Sequence, residues 1–148
     1  MTAITAFPTI HKVLYAGDNI QSFKVSAAVK AGMVLCINAT GVDWTVEKCV
    51  AAAGSCPVGV ALTDQATVGA QVAVGCIGTY CTVQNYDDTA TMDAGDLVMG
   101  DTNAVGGTVK VGAGAASWEL LGRLMTDMAA GGTAVMQVLC GVQNVVHA

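Results

Sequence analysis

The stretch Pro57-Val58-Gly59-Val60-Ala61-Leu62-Thr63-Asp64 occurs twice in this chain. A shift of 63 positions (122 minus 59) leads to Leu121-Gly122-Arg123-Leu124-Met125-Thr126-Asp127, with glycine on glycine and Thr-Asp on Thr-Asp. The same ungapped shift carries Ala31-Gly32 onto Ala94-Gly95. A constant offset of this length is not expected of unrelated halves. We therefore predict an internal duplication of residues 31–83 and 94–146.

The composition predicts a surface that other protein covers. Hydrophobic residues make up 53 % of the 148 residues and charged residues 11 %, against roughly 25 % in ordinary soluble domains. A membrane helix needs about 18 to 20 uninterrupted apolar residues, but the best run, residues 49–62, is interrupted by Ser55 and Pro57. Residues 1–8 hold no Lys or Arg, so we expect no secretory leader. Burial in a homo-oligomer or on a larger assembly is the remaining option.

Charge argues against nucleic acid as a partner. The net charge is −5, and the six basic residues are scattered along the chain instead of forming a stripe. They are Lys12, Lys24, Lys30, Lys48, Lys110 and Arg123. Proteins that bind DNA or RNA need clustered basic residues to displace counterions from the phosphates. We expect neither nucleic-acid binding nor membrane binding.

The six cysteines are predicted to be buried free thiols. They are Cys36, Cys49, Cys56, Cys76, Cys81 and Cys140. None forms a C-x-x-C pair, and none of the six meets a cysteine after the 63-residue shift, whereas a framework disulfide should recur in both copies. This pattern favours small apolar side chains in a protein that folds in a reducing cytoplasm.

Short apolar runs separated by Gly-rich turns predict an all-β body, a compact sandwich or barrel. The predicted strands are 11–15, 20–25, 33–37, 45–50, 58–62, 71–75, 79–84, 97–99, 108–111, 119–125, 134–139 and 142–146. We divide the chain into four segments: an N-terminal arm with a first hairpin, a first repeat, an acidic linker and a second repeat. Their ranges are 1–30, 31–84, 85–93 and 94–148, and the two repeats are expected to share one core.

No residue pattern predicts catalysis, and no cofactor or metal is expected. His11 and His147 lie at the ends of the chain, and Ser55 lacks the second glycine of a nucleophile elbow. The Gly-rich residues 112–117 are followed by no helical segment, so they predict a turn and no dinucleotide site. The linker acids and their neighbours fit no calcium loop; these are Asp87, Asp88, Asp93, Asp96 and Asp101.

The repeated Thr-Asp pairs and the two tryptophans each allow two interpretations. Thr63-Asp64 and Thr126-Asp127 recur at matched positions, which would suit acid/base chemistry but is more simply explained by hydrogen bonds to the backbone of the turn that follows. Trp44 and Trp118 are not related by the shift, and each could lie in the core or anchor an interface.

The repeated stretch resembles the capsid cement, or head decoration, proteins of tailed viruses, the family known as domain of unknown function 2190. The resemblance lies in Ala-Gly at residues 31–32, in Val-Gly-Val-Ala-Leu-Thr-Asp at 58–64 and in Val-Gly-Ala-Gln-Val-Ala-Val at 68–74. A more distant similarity is to lambda-type head decoration proteins. Met33 departs from the family pattern, which has Asp after Ala-Gly, whereas Asp96 keeps it in the second copy.

This resemblance implies a β-tulip body that trimerises, sits on the surface of an icosahedral bacteriophage capsid and clamps neighbouring major capsid subunits. Such a protein has no active site, is made in the host cytoplasm and belongs to the virion. The family's N-terminal arm adds a strand to capsid protein. The arm positions that would contact capsid here are Thr2, Ile4, Phe7, Pro8 and Ile10.

Two other classes of function are weighed against decoration of a capsid. One is a different assembly component, such as a head-fibre base, a tail-tube relative or an S-layer-like subunit. The other is a carrier module, because residues 29–34 are similar to the turns of lipoyl and biotinyl domains, although the Met-Lys-Met and Asp-Lys-Ala sequences that carry the modified lysine are absent.

Overall fold

All regular secondary structure in the described part of the chain is β-strand, as the sequence predicts. The computed structural model describes residues 13–15, 19–37, 43–49, 57–85, 91–100, 108–110 and 120–140. The strands are β1 Val13–Tyr15, β2 Ile20–Val25, β3 Val34–Ile37, β4 Thr45–Lys48, β5 Pro57–Ala61, β6 Gln71–Gly75, β7 Tyr80–Gln84, β8 Leu97–Gly100, β9 Thr108–Lys110, β10 Leu120–Leu124 and β11 Thr133–Val138. The predicted strand 142–146 lies outside the described residues.

Alternation of side chains along β2 illustrates why these segments are strands. Phe23 and Val25 are buried, whereas Ser22 and Lys24 on the opposite face are exposed. A strand turns successive side chains to opposite faces, so a period of two places one set in the core and the other in solvent. The strand predicted at 20–25 thus has one buried and one exposed face.

The strands form two sheets. Five of them close into a barrel in the order β2-β4-β3-β5-β6, with β6 pairing back to β2. The other six form an open sheet in the order β1-β7-β11-β10-β8-β9. The body is thus a small closed barrel packed against an open sheet.

Strand pairing in the two sheets repeats the duplication seen in the sequence. In the barrel, Val34 of β3 lies opposite Val60 of β5; 63 residues later, Leu97 of β8 lies opposite Arg123 of β10. Both strand pairs carry a register shift at the corresponding place. Two isolated bridges, Val29 to Gln65 and Met92 to Met128, are also 63 residues apart at both ends.

The ungapped alignment is wrong in two strands, where the offset is 62. Val60 of β5 pairs with Gly75, but Arg123 of β10 pairs with Gln137, and 137 minus 75 is 62. The cause is a turn one residue shorter in the second copy: the Ala70 N–H donates to the Thr67 carbonyl in the first, the Gly132 N–H to the Ala129 carbonyl in the second. The offset from β4 to β9 is also 62, because Leu35 pairs with Lys48 whereas Val98, 63 residues after Leu35, pairs with Lys110. Small and apolar residues on both sides of each turn hide the slip in the sequence.

β7 occupies in the open sheet the position that β2 holds in the barrel. Each makes five antiparallel pairs with the corresponding neighbour, β2 with β6 and β7 with β11. The segment 1–30, which the sequence leaves without a counterpart, therefore contains one in β2. The two sheets do not coincide with the predicted segments 31–84 and 94–148, because β7 lies in the first segment but pairs within the open sheet. As domain boundaries, these ranges stay a prediction.

The two sheets differ at one edge. In the barrel, the second edge of β2 pairs in parallel with β4 and closes the ring. In the open sheet, the second edge of β7 pairs with β1 instead, and β9, the counterpart of β4, ends the sheet among the described strands.

The buried side chains form two clusters. One fills the barrel and includes Leu35, Val46 and Val74. The other lies between the barrel and the open sheet, where Val34 and Cys36 of β3 meet side chains of the second half, among them Leu121 and Met136. Because alternate residues of β3 point inward and outward, a single strand serves both clusters.

The cysteine prediction is wrong for one pair. Cys36 and Cys49 form a disulfide between β3 and the end of β4, with Cα atoms 4.8 Å apart. The shift argument failed because the second copy simply lacks this bond. Cys76 and Cys81 are buried free thiols and Cys140 is buried, as predicted, while Cys56 lies outside the described residues.

The repeated glycine of the opening stretch marks a close approach of two backbones. A Cβ at Gly59 would overlap the Gly75 carbonyl oxygen, and a Cβ at Gly122 would overlap the Gln137 carbonyl oxygen. The two oxygens correspond under the 62-residue offset. Any side chain at either position would force the paired strands apart.

We expect Gly59→Ala and Gly122→Ala each to lower the free energy of unfolding by about 1 to 3 kcal/mol, the cost of overpacking a closed core. Urea denaturation of the purified variants measures this. The control is Gly75→Ala, whose Cβ would have as its three nearest atoms the side-chain carbons Leu62 Cδ2 and Thr79 Cγ2 at 3.3 Å and the Cys81 sulfur at 3.5 Å. Equal losses in all three variants would contradict the argument from backbone overlap.

Candidate interaction surface

The repeated Thr-Asp pairs are structural in both copies. Asp64 accepts a hydrogen bond from the Ala31 N–H at 2.8 Å, and Asp127 accepts the corresponding bond from the Ala94 N–H at 2.9 Å. Each carboxylate therefore accepts its bond from the Ala-Gly turn 33 residues earlier in the chain. The sequence had suggested a bond to the turn that follows instead. In the same turns, the Gly32 and Gly95 N–H groups donate to the carbonyls of Ala61 and Leu124. We call these contacts the Asp clasps.

The other residues weighed for chemistry form no site in the described structure. Most of them lie outside the described residues: His11, Ser55, Asp87, Asp88, Asp101, residues 112–117, Trp118 and His147. Asp96 accepts a bond from the Asp93 N–H at 3.0 Å within a turn. In the described part of the chain, no group of three or more His, Cys, Asp or Glu residues could hold a metal ion, and no helix could cross a membrane.

The five residues predicted to contact capsid also lie outside the described residues. They are Thr2, Ile4, Phe7, Pro8 and Ile10. Their role stays a prediction. The first described residues of the N-terminal segment are those of β1, whose backbone pairs with the edge of β7.

Burial controls the chemistry of the thiols at the junction of barrel and sheet. Removal from water raises the pKa of Cys81 to about 12, with a smaller contribution from the neighbouring Cys76. Burial also raises the pKa of Cys76, while a backbone hydrogen bond from Gln21 acts in the opposite direction. A thiol kept protonated is a poor nucleophile, so neither cysteine suits covalent catalysis at neutral pH.

Asn19 holds this junction together. Its carbonyl accepts hydrogen bonds from the Cys76 N–H at 2.9 Å and the Thr79 hydroxyl at 3.2 Å. Its side-chain amide donates to the Ile77 carbonyl at 3.0 Å. Asn19, which immediately precedes β2, thus hydrogen-bonds to the turn between β6 and β7, where the chain passes from the barrel to the open sheet.

Large apolar side chains are exposed at the end of the barrel where β2 finishes. Trp44 is 66 % exposed, Val68 is 66 % and Ile37 is 40 %. Trp44 accepts a hydrogen bond from the Lys24 N–H through its carbonyl, and its ring lies 5.3 Å from that of Phe23. Ile37 pairs with Val46 of β4, which lies two residues after Trp44 in the chain. We call Ile37, Trp44 and Val68 the Trp44 patch.

Trp44 combines exposure with an unusual backbone. Its φ is +60°, a left-handed conformation that costs a bulky residue free energy and that glycine normally provides. Aromatic residues exposed in this way are enriched in protein interfaces. Its exposure contradicts the core alternative for Trp44, and the interface alternative stays a prediction.

Removing either Asp clasp should lower stability without changing the fold. Asp64→Ala and Asp127→Ala leave a turn N–H without its carboxylate acceptor, at a cost of about 1 kcal/mol each, because the groups are partly open to water. Thermal unfolding measures the loss. Asp64→Asn is the matched control, since its amide oxygen can still accept the bond, and a loss as large as that of alanine would contradict the assignment.

We expect Cys81 to resist alkylation by iodoacetamide at pH 8 in the folded protein and to react readily in urea. Below pH 9, the ordinary value, the thiol is protonated in both states, so stability does not change. Between pH 9 and about 12 only the unfolded state loses this proton, so stability falls as pH rises, by at most about 1.4 kcal/mol per pH unit. Cys81→Ala should remove that part of the slope; an unchanged slope would contradict the shifted pKa.

Comparison with known proteins identifies the fold. No family model matches the sequence, and no curated protein sequence matches it. Among solved structures, the crystal structure of the head fiber gp8.5 N base in bacteriophage phi29 is similar to this chain, with a TM-score of 0.60 and 14 % sequence identity. The match covers 87 % of this chain and 98 % of that chain. At this identity the likeness concerns the fold.

Proposed function

We propose that this protein is a structural component of a bacteriophage virion that binds the outside of the head. The observation that carries the proposal is the fold it shares, over most of both chains, with a protein named as a head fiber base. The resemblance to head decoration proteins stated in the sequence analysis would place the chain on the same particle, although no family model matches it. Head association is the element that the two have in common.

The physical properties of the chain support a role in assembly. Only 11 % of its residues are charged, and the exposed Trp44 patch adds apolar surface where β2 ends. Surfaces of this kind gain free energy when a partner covers them. A protein that binds only the assembled shell stabilises the shell by mass action. We infer that the chain is not an enzyme and needs no cofactor.

In detail, we propose a homotrimer that bridges neighbouring major capsid subunits and so cements the shell. Three equivalent contacts made by one trimer multiply weak individual affinities. The N-terminal arm would supply one contact from each subunit by adding a strand to capsid protein. The test is to mix the protein with undecorated capsids and measure occupancy, oligomeric mass and the temperature at which the shell opens.

A head-fibre base is the second candidate, and the name of the phi29 structure favours it specifically. Its role would be to attach a projecting fibre to the head. Electron microscopy separates the candidates: cement gives a regular lattice of knobs and a more heat-resistant shell, whereas a fibre base gives projecting fibres that disappear from virions lacking the protein, with shell stability unchanged.

Deleting residues 1–10 should leave a folded trimer that no longer binds capsids. The deletion removes the proposed contact segment but stops before β1 at Val13–Tyr15, so all described strands remain. Circular dichroism and light scattering check fold and mass, and sedimentation with capsids checks binding. The matched variant is Phe7→Ala with Ile10→Ala in the full-length chain. Full capsid occupancy by both variants would contradict the role of the arm.

A further inference from the structure

We propose that the Cys36–Cys49 disulfide is a redox-controlled latch on the seam that closes the barrel, the parallel pairing of β2 with β4. This proposal is independent of the partner that the protein binds. It concerns whether the first half of the molecule exists as a closed barrel or as an open sheet like the second half.

The seam is a short joint and a parallel one, whereas the equally short pairing of β5 with β6, also two residue pairs, is antiparallel. β2 and β4 share two residue pairs in parallel, Lys24 with Thr45 and Val25 with Val46, whereas β2 and β6 share five antiparallel pairs. Backbone bonds across it include Lys24 N–H to the Trp44 carbonyl and Ser26 N–H to the Val46 carbonyl, both 3.0 Å. Parallel pairing is slightly less stable per residue than antiparallel pairing, so this edge should open first.

The second half of the molecule shows what the same strands do without the bond. β8 and β9 correspond to β3 and β4 and pair in the same way, yet β9 ends its sheet among the described strands. The positions that correspond to the two cysteines hold Met99 and Val111. In this duplicated chain, closure and the disulfide occur in the same copy.

The position of the bond explains how it could act on the seam. Cys36 lies on β3, and Cys49 directly follows β4, with its N–H bonded to the Val34 carbonyl at 2.8 Å. The bond therefore fixes β4 against β3 at the end away from Trp44. Both sulfurs are buried in the cluster between barrel and sheet, with Cys36 4 % and Cys49 2 % exposed. Two separate thiols need more room than a disulfide, and close-packed cores have little to spare.

The chemistry requires only a small-molecule disulfide such as oxidised glutathione. The two thiols lose their protons and two electrons as the Sγ–Sγ bond forms, and the small disulfide takes up both electrons and both protons as it is cleaved to two thiols. The chain would thus close its latch on passing from a reducing cytoplasm to an oxidising medium.

Hydrogen exchange of three consecutive amides at the end of β2, those of Lys24, Val25 and Ser26, tests the proposal in the full chain. Lys24 and Ser26 donate across the seam to β4, whereas Val25 between them donates to the Ala70 carbonyl at 3.0 Å on the β6 side. After reduction by dithiothreitol, we expect at least tenfold faster exchange of Lys24 and Ser26, with Val25 and Leu124 of β10 unchanged. Reoxidation by oxidised glutathione should restore the slow rates.

Three results would contradict the proposal. Unchanged exchange at Lys24 and Ser26 would overturn the proposal, and so would equal acceleration at all four amides, because the bond would then be a staple for the whole fold. Peptide mapping that joins Cys36 to any cysteine but Cys49 would also overturn it. Cys36→Ala with Cys49→Ala should exchange like the reduced chain in the absence of reductant, while Cys76→Ala, which keeps the disulfide, should respond to reductant as the unmodified chain does.

Discussion

The register of β3 on β5, and of β8 on β10, is the constraint on which both halves of the molecule depend, and the Asp clasp is one of the contacts that support it. In each half, a carboxylate that follows one strand holds the backbone N–H of an Ala-Gly turn that precedes another, 2.8 Å and 2.9 Å away in the two copies. The next residues add two backbone bonds, and in the first copy Gly32 donates to Ala61 while Ala61 donates to Met33. These contacts fix β3 on β5, and β8 on β10, in one register. Since a slip of one residue would turn every buried side chain outward, the register determines the core.

Once this register is fixed, the two copies are free to differ at their edges. β2 and β7 are corresponding strands that pair along one edge with β6 and β11. Along the other edge, β2 pairs with β4 and β7 pairs with β1. A duplicated sequence therefore produces a closed barrel in one half and an open sheet in the other. Edge strands expose unpaired backbone groups, and pairing with a further strand is one way to cover them. The N-terminal segment supplies that cover in the second half.

The asymmetry has a counterpart in the side chains. The outward face of β3 carries Val34 and Cys36 into the cluster shared with the second half, so the barrel packs on the sheet through the strand that also bears the disulfide. The exposed apolar side chains at the end of β2 lie apart from this shared cluster. Internal packing thus covers one side of the barrel and leaves the apolar side chains at its Trp44 end exposed.

The sequence by itself determined the all-β class, the position of nearly every described strand and the existence of a duplication, because these follow from local patterns of apolar residues and turns. It also pointed to the glycine at 59 and 122 and the aspartate at 64 and 127, although not to their partners. Tertiary structure decided the rest. The one-residue slips at β9 and β11, the equivalence of β7 with β2, the disulfide between Cys36 and Cys49 and the left-handed backbone of Trp44 all depend on which strand edges meet in space. Pairing between distant segments is set by the packing of the whole core, and a repeat of small apolar residues carries too little information to specify it.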